Sequence, residues 1–379
     1  MNISEHCEGE QWVREGSPTT SALMFSAGVL GNAVALVLLE VRRRRRKQSA
    51  RGNSSSCNLF QVLLTSLLVT DLLGTCSVSP LVIAAYARNE SLSALGGSQV
   101  ACQYFGFAMT FFSLVTLALL LCMALERCLS IAVPYFYERR LSVRCGYLAL
   151  ALVYLSGALF CLAPFFGFGE YVQYCPGTWC FVDMSAQQEH NVYKNLYASF
   201  LLVMIACIVL CNVCVIYHLV LMYRRCELHR GSARRFRTSA PTRSLSEELE
   251  HLVLLAFMTI TFLICSLPLV NIIRLTARVI TSPRHAVRRP SRISCINIQF
   301  VFVMICLYIS SPRTNRSLDL TALLLLSMNP ILDPWVFILL SPPVPRLLWE
   351  AMCKVLRPRP LDNKVPLSVS PQTAIELQT

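Results

Sequence analysis

The stretch from Cys102 to Arg127 admits few folds. It carries no charge before Glu126. Wound as an α-helix at 1.5 Å per residue it covers roughly 39 Å, enough to cross a hydrocarbon core about 30 Å thick. A cysteine stands at one end, and an adjacent acid and base, Glu126 and Arg127, at the other. A buried span with a covalent anchor at one face and an ion pair at the other can link events across a membrane. Other apolar runs also exceed the roughly 18 residues that a span needs, so the chain reads as a polytopic helical membrane protein, all-α in class.

Composition agrees. Of 379 residues, 55% are hydrophobic and 15% charged, against roughly 25% charged in soluble domains. The net charge of +13 does not indicate nucleic-acid binding, because the basic residues sit in short loops between apolar runs, where they set membrane orientation. Residues 1–20 are polar and acidic, without the n-region and h-region of a cleaved signal peptide. Most of the 18 cysteines lie inside apolar runs, where they read as small buried hydrophobes.

Seven spans are expected, over about 21–41, 59–86, 102–125, 147–166, 196–223, from near 249, and 320–340. The first ends at Arg42, Arg43, Arg44, Arg45, Arg46 and Lys47, a cytoplasmic marker that places residues 1–20 outside as a tail. The bundle is then residues 21–340 and the C-terminus lies inside. After Pro342, Pro343 and Pro345, residues 341–356 carry Leu347, Leu348, Met352 and Val355 beside Arg346 and Lys354, the pattern of an amphipathic helix on the inner face. Cys353 there is a candidate palmitoylation site, and residues 357–379 read as a disordered tail. Of the Asn-x-Ser sequons, Asn2, Asn89 and Asn315 fall outside and are candidates for glycosylation, whereas Asn53 falls inside.

Residues 270–300 do not fit the pattern. They carry Arg274, Arg278, Arg284, Arg288, Arg289 and Arg292 with Pro283 and Pro290, and an arginine at a helix centre costs about 2.5–3.5 kcal/mol. They read as an insertion at the outer end of the sixth span. Joining Leu269 to Val301 restores an uninterrupted apolar helix.

Asp71 lies in the middle of the second span, and an intramembrane acid is a functional candidate by default. Asp333, Asn32, Thr116 and Asn329 sit in other spans and with it make a polar cluster able to hold water or a cation. At the inner end of the third span Arg127 can be held by Glu126 and by Glu248, then released. Past the fourth span comes Gln173-Tyr-Cys-Pro-Gly-Thr-Trp-Cys-Phe181, in an outer loop where disulfides persist. Cys180 is the natural partner for Cys102, leaving Cys175 for Cys7, and Trp179 and Phe181 are placed to lid a pocket.

Seven spans, Gly31-Asn32, Asp71 in Thr-Asp-Leu-Leu-Gly-Thr, Glu126-Arg127-Cys128 and Asp333-Pro334-Trp335-Val336-Phe337 resemble the rhodopsin-like G-protein-coupled receptors. The loop motif, Phe107–Phe112 and Cys265-Ser266-Leu267-Pro268 resemble the prostanoid receptors, on the branch that raises cyclic AMP. The resemblance implies a plasma-membrane receptor that takes a prostaglandin-type lipid and activates a stimulatory heterotrimeric G protein. Prostaglandin E2 is the first ligand to expect. A prostacyclin- or prostaglandin D2-responsive receptor and a non-signalling paralogue are the alternatives.

The resemblance also implies a ligand site at Tyr86, Thr178, Met24, Trp179 and Ser327, with sodium at Asp71, Thr116, Asn329 and Asp333, and no cofactor. The third family partner of the ligand's carboxylate is an arginine in the seventh span, where this chain has Leu324. No other basic residue lies in the outer half of an expected helix. A transporter would show an internal repeat and broken midplane helices, and neither is visible. No nucleophile–base or metal-ligand constellation supports an enzyme.

Overall fold

A computed structural model describes residue 13 and residues 18–49, 59–95, 99–174, 176–183, 191–232, 252–266 and 315–340. Cys7, Cys175, Glu248, Asn2, Asn53, Cys353, residues 270–300 and residues 341–379 lie outside these. The helices are α1 (Pro18–Ser49), α2 (Leu59–Arg88), α3 (Val100–Ala132), α4 (Pro134–Arg140), α5 (Val143–Leu162), α6 (Asn191–Ser232), α7 (Leu252–Ser266) and α8 (Asn315–Leu340). Six of them are long and apolar enough to cross a membrane, and the described part of α7 is a shorter apolar helix. These six match six of the seven expected spans, and α7 lies within the sixth. Most helices run a turn or more past the apolar limits, because polar and basic residues continue a helix once its core is anchored.

The third span is the centre of the bundle. In the most apolar window of α3, 56% of residues are buried, against 17% for α5. α3 packs on α2, α5 and α6, and both strands of a hairpin lie against it. The closest approaches are made where a side chain is missing. A Cβ on Gly106 would come 2.7 Å from the Tyr171 ring, so glycine lets the hairpin sit directly on the helix.

That hairpin pairs β1 (Tyr171–Tyr174) antiparallel with β2 (Trp179–Val182), with Val172 opposite Phe181 and Gln173 opposite Cys180. All eight residues are buried. Alternate side chains of a strand point to opposite faces, so burial of all of them means the hairpin is covered on both sides. Gly177 turns the chain at φ 102°, a conformation that strongly favours glycine. Its carbonyl accepts from the Leu92 amide at 2.8 Å, and the Ser93 amide donates to Gln173 Oε1 at 2.9 Å.

α8 contains Pro330 and Pro334. Proline has no N–H, so Pro334 leaves the Pro330 carbonyl without its helical donor. Asn32 Nδ2 fills the place, donating to Pro330 O at 2.9 Å and to Gly28 O at 3.0 Å. One amide thus fastens α1 to a defect that the sequence of α8 imposes.

Candidate functional site

Three groups of side chains lie along the bundle. At the end that carries Cys102, its sulfur is bonded to Cys180, with Cα atoms 5.4 Å apart and a sequence separation of 78. The bond ties the start of α3 to β2. It is the only disulfide among the described residues; Cys161 and Cys265 are buried free thiols. Trp179, beside Cys180, meets the edge of Phe105 at 5.6 Å between ring centroids. Thr178 is fully buried, and its Oγ1 donates to Tyr86 OH at 3.3 Å. The Tyr171 hydroxyl donates to the Cys161 carbonyl at 2.8 Å, and burial raises its pKa above the ordinary tyrosine value.

Midway along the bundle lies a cavity of about 60 Å³, lined among others by Asp71, Ser113, Thr116, Phe262, Ser327 and Asn329. Thr116 Oγ1 donates to Asp71 Oδ1 at 3.0 Å, and Asn329 Nδ2 donates to Ser266 Oγ at 3.3 Å. Asp333 is close enough to Asp71 for their charges to interact. Asp71 Oδ2, Asn329 Oδ1, Asn32 Oδ1 and both oxygens of Asp333 are buried without a hydrogen-bond partner among the described residues. All are acceptors. Buried acceptors with no donor are costly, and a hard cation takes oxygen ligands of this kind. Such oxygens suit a hard cation, and Asp71, Thr116, Asn329 and Asp333 are the side chains that would hold one.

At the opposite end the Arg127 guanidinium donates to both carboxylate oxygens of Glu126, at 2.7 Å from one terminal nitrogen. Tyr137 on α4 donates to the same carboxylate at 2.6 Å, and the Phe60 ring lies 4.6 Å from the guanidinium carbon. Glu126 and Arg127 are 3% and 5% exposed. The pair is therefore a desolvated, forked ion pair rather than a surface contact, in the regime where losing one partner is costly.

Of the expected ligand residues, Tyr86 and Thr178 meet one another, Trp179 is buried beside them, and Ser327 opens on the cavity. Met24 on α1 and Leu324 on α8 are half-buried and do not line that cavity. Leu324 offers only its carbonyl, to Ser327 Oγ at 2.7 Å. One expectation needs correction. α6 begins at Asn191, earlier than its apolar core, and so carries Lys194 as a buried cation near Asp183 at the Cys102 end. Hydropathy missed it because it stands before the apolar run. Ser113 and Tyr197 were missed as well. Each carries a buried hydroxyl, and a serine or tyrosine in an apolar helix gives no periodic signal.

The comparisons with known proteins agree with this architecture. The 7 transmembrane receptor (rhodopsin family) pattern matches residues 31–337. The mouse prostaglandin E2 receptor EP2 subtype is 44% identical over 359 residues, covering 93% of this chain and 89% of that protein. Its human counterpart is 44% identical, covering 92% and 90%. The human prostacyclin receptor is 38% identical over 370 residues, covering 97% and 84%. Squid rhodopsin superposes with a TM-score of 0.66 at 13% identity, over 94% of this chain and 86% of that one, which speaks to the fold alone. The chain belongs to the rhodopsin family of seven-transmembrane receptors and, within it, to the prostanoid receptors. It is a multi-pass membrane receptor and its family is not one of enzymes.

Proposed function

We propose that this chain is a plasma-membrane receptor for a prostaglandin, prostaglandin E2 first among them, which activates a stimulatory G protein and raises cyclic AMP. The observation that carries this is the Tyr86–Thr178 hydroxyl pair at the turn of a buried hairpin pinned to α3, in a chain similar along most of its length to prostaglandin E2 receptors. Hydroxyls suit a carboxylate, and the apolar bundle suits a fatty chain.

Residues 1–20 and the sequons Asn2, Asn89 and Asn315 lie outside the cell; residues 341–356, with Cys353 as an acylation site, and residues 357–379 lie inside. Asn89 is exposed, at a positive φ of 54° in the turn after α2, a place accessible to glycosylation. A specific observation favours a second possibility. Leu324 leaves the carboxylate without the helix-borne cation of the family, which suits a weaker or non-acidic lipid. Cyclic AMP measured in transfected cells against prostaglandin E2, prostacyclin and D2 analogues tests both. A response led by prostaglandin E2 is expected, and none to any prostanoid would overturn the proposal.

In mechanism, agonist binding favours an outward position of the sixth span. Arg127 then leaves Glu126 and meets the G-protein tail. Glu126→Gln removes the charge from a desolvated pair. At a loss of about 1 kcal/mol the active fraction rises about fivefold, read as basal cyclic AMP at equal surface expression. Arg127→Ala lowers the maximal response with agonist affinity kept. A fall in basal signalling in Glu126→Gln would exclude the restraint.

A further inference from the structure

A second cavity, about 180 Å³, opens between α1, α2 and α5 at the end that carries Glu126 and Arg127. Its floor is apolar, made by Leu36, Leu39 and Val62; its rim is polar, made by Glu40, Arg43, Gln61 and Thr65, with Tyr147 of α5 closing one side. α1 does not stop at the apolar limit. It continues to Ser49, so the arginine run is carried on a helix beside this groove. Arg43 and Arg44 both reach Glu40, at 3.7 Å and 2.9 Å, while keeping 45% and 75% of their side chains exposed. Glu40 is the sole acid between Ser17 and Thr70, against five arginines and a lysine at 42–47. Its charge is thus more than balanced. Arg144, exposed and three residues before Tyr147, stands on the same face of α5.

An apolar slot beside a helix end that carries five arginines and a lysine, at the edge of a helical bundle, matches one kind of occupant. We infer that this groove binds an anionic phospholipid of the inner leaflet, its glycerol and first acyl carbons between α1 and α2 and its phosphates on Arg43, Arg44 and Arg144. A bilayer supplies that molecule at the height of the groove, and juxtamembrane basic clusters attract anionic headgroups. The site rests on the inward placement of this end, but not on the identity of the agonist.

The full-length receptor in mixed micelles, where sidedness plays no part, is presented with equal amounts of phosphatidylinositol bisphosphate, phosphatidylserine and phosphatidylcholine. Retained lipid is then counted by native mass spectrometry. The bisphosphate lipid should be kept in preference to phosphatidylcholine. Arg43→Gln with Arg44→Gln should lower its retention about tenfold or more. Thr65→Trp, which leaves every charge in place but fills the slot, should lower it as well. A diazirine on the acyl chain should label α1 and α2 of the unaltered receptor near Leu36 and Val62, which keeps the test independent of how the variants fold. The inference is overturned by equal retention of all three lipids, by labelling elsewhere, or by full retention in correctly folded Thr65→Trp. This last result would mean that the arginine run attracts anionic lipid diffusely.

Discussion

Replacing Cys102 with alanine should remove most of the receptor from the cell surface and abolish its agonist response. The bond to Cys180 closes a loop of 78 residues, and loss of a native disulfide typically costs about 2–5 kcal/mol, a large part of a typical domain's stability. The local consequence is larger than the chain entropy suggests. β2 also carries Trp179, packed on Phe105, while β1 places Tyr171 against Gly106. Once the bond is gone, hairpin and helix are held only by these contacts. Thr178 sits one residue before β2, so Tyr86 loses its partner when the strand moves. Cys180→Ala should give the same result, and the double substitution should be no worse than either single one, because all three remove one bond. Surface immunolabelling and a thermal melt of purified receptor measure this. Normal expression and potency in Cys102→Ala would sink the assignment of the hairpin as the cover of the pocket.

The second large effect should come from Leu324→Arg, with a gain of at least about tenfold in prostaglandin E2 potency, equivalent to about 1.4 kcal/mol. In the proposed site the carboxylate meets the neutral hydroxyls of Tyr86 and Thr178. A charge-assisted hydrogen bond contributes about 1.5–3 kcal/mol, against about 0.5–1.5 for a neutral one. Leu324 is half-buried and no buried polar group depends on its side chain, so the substitution removes little. The methyl ester of prostaglandin E2 should gain far less, because it has no charge to pair. The same series in a chain lacking residues 270–300 separates two causes. If the insertion supplies a cation, its removal lowers potency and Leu324→Arg restores it; if it is inert, the deletion leaves potency and surface expression intact. A gain shared equally by acid and ester would show that Leu324→Arg acts on something other than the carboxylate.

The spans were legible in the sequence because hydrophobicity is local and additive. Some twenty apolar residues in a row commit to a bilayer whatever surrounds them, and α1, α2, α3, α5, α6 and α8 lie where the runs predict. Asp71, Glu126–Arg127 and Cys102 were legible for the complementary reason, as polar or reactive groups at places where a span has no ordinary use for them. The resemblance supplied Tyr86, Thr178 and Leu324.

Tertiary packing decided what those groups do. Neighbours along a helix point about 100° apart, so nothing in the order Glu126-Arg127 requires them to face each other. The Phe60 ring and the Tyr137 hydroxyl, brought from α2 and α4, close the forked pair. Pro334 announces a missing donor, but only the packing of α1 on α8 reveals that Asn32 supplies it. Lys194 and the groove beside Arg43 were invisible for a related reason. Their character comes from burial and from walls contributed by other helices, and a one-dimensional pattern carries neither.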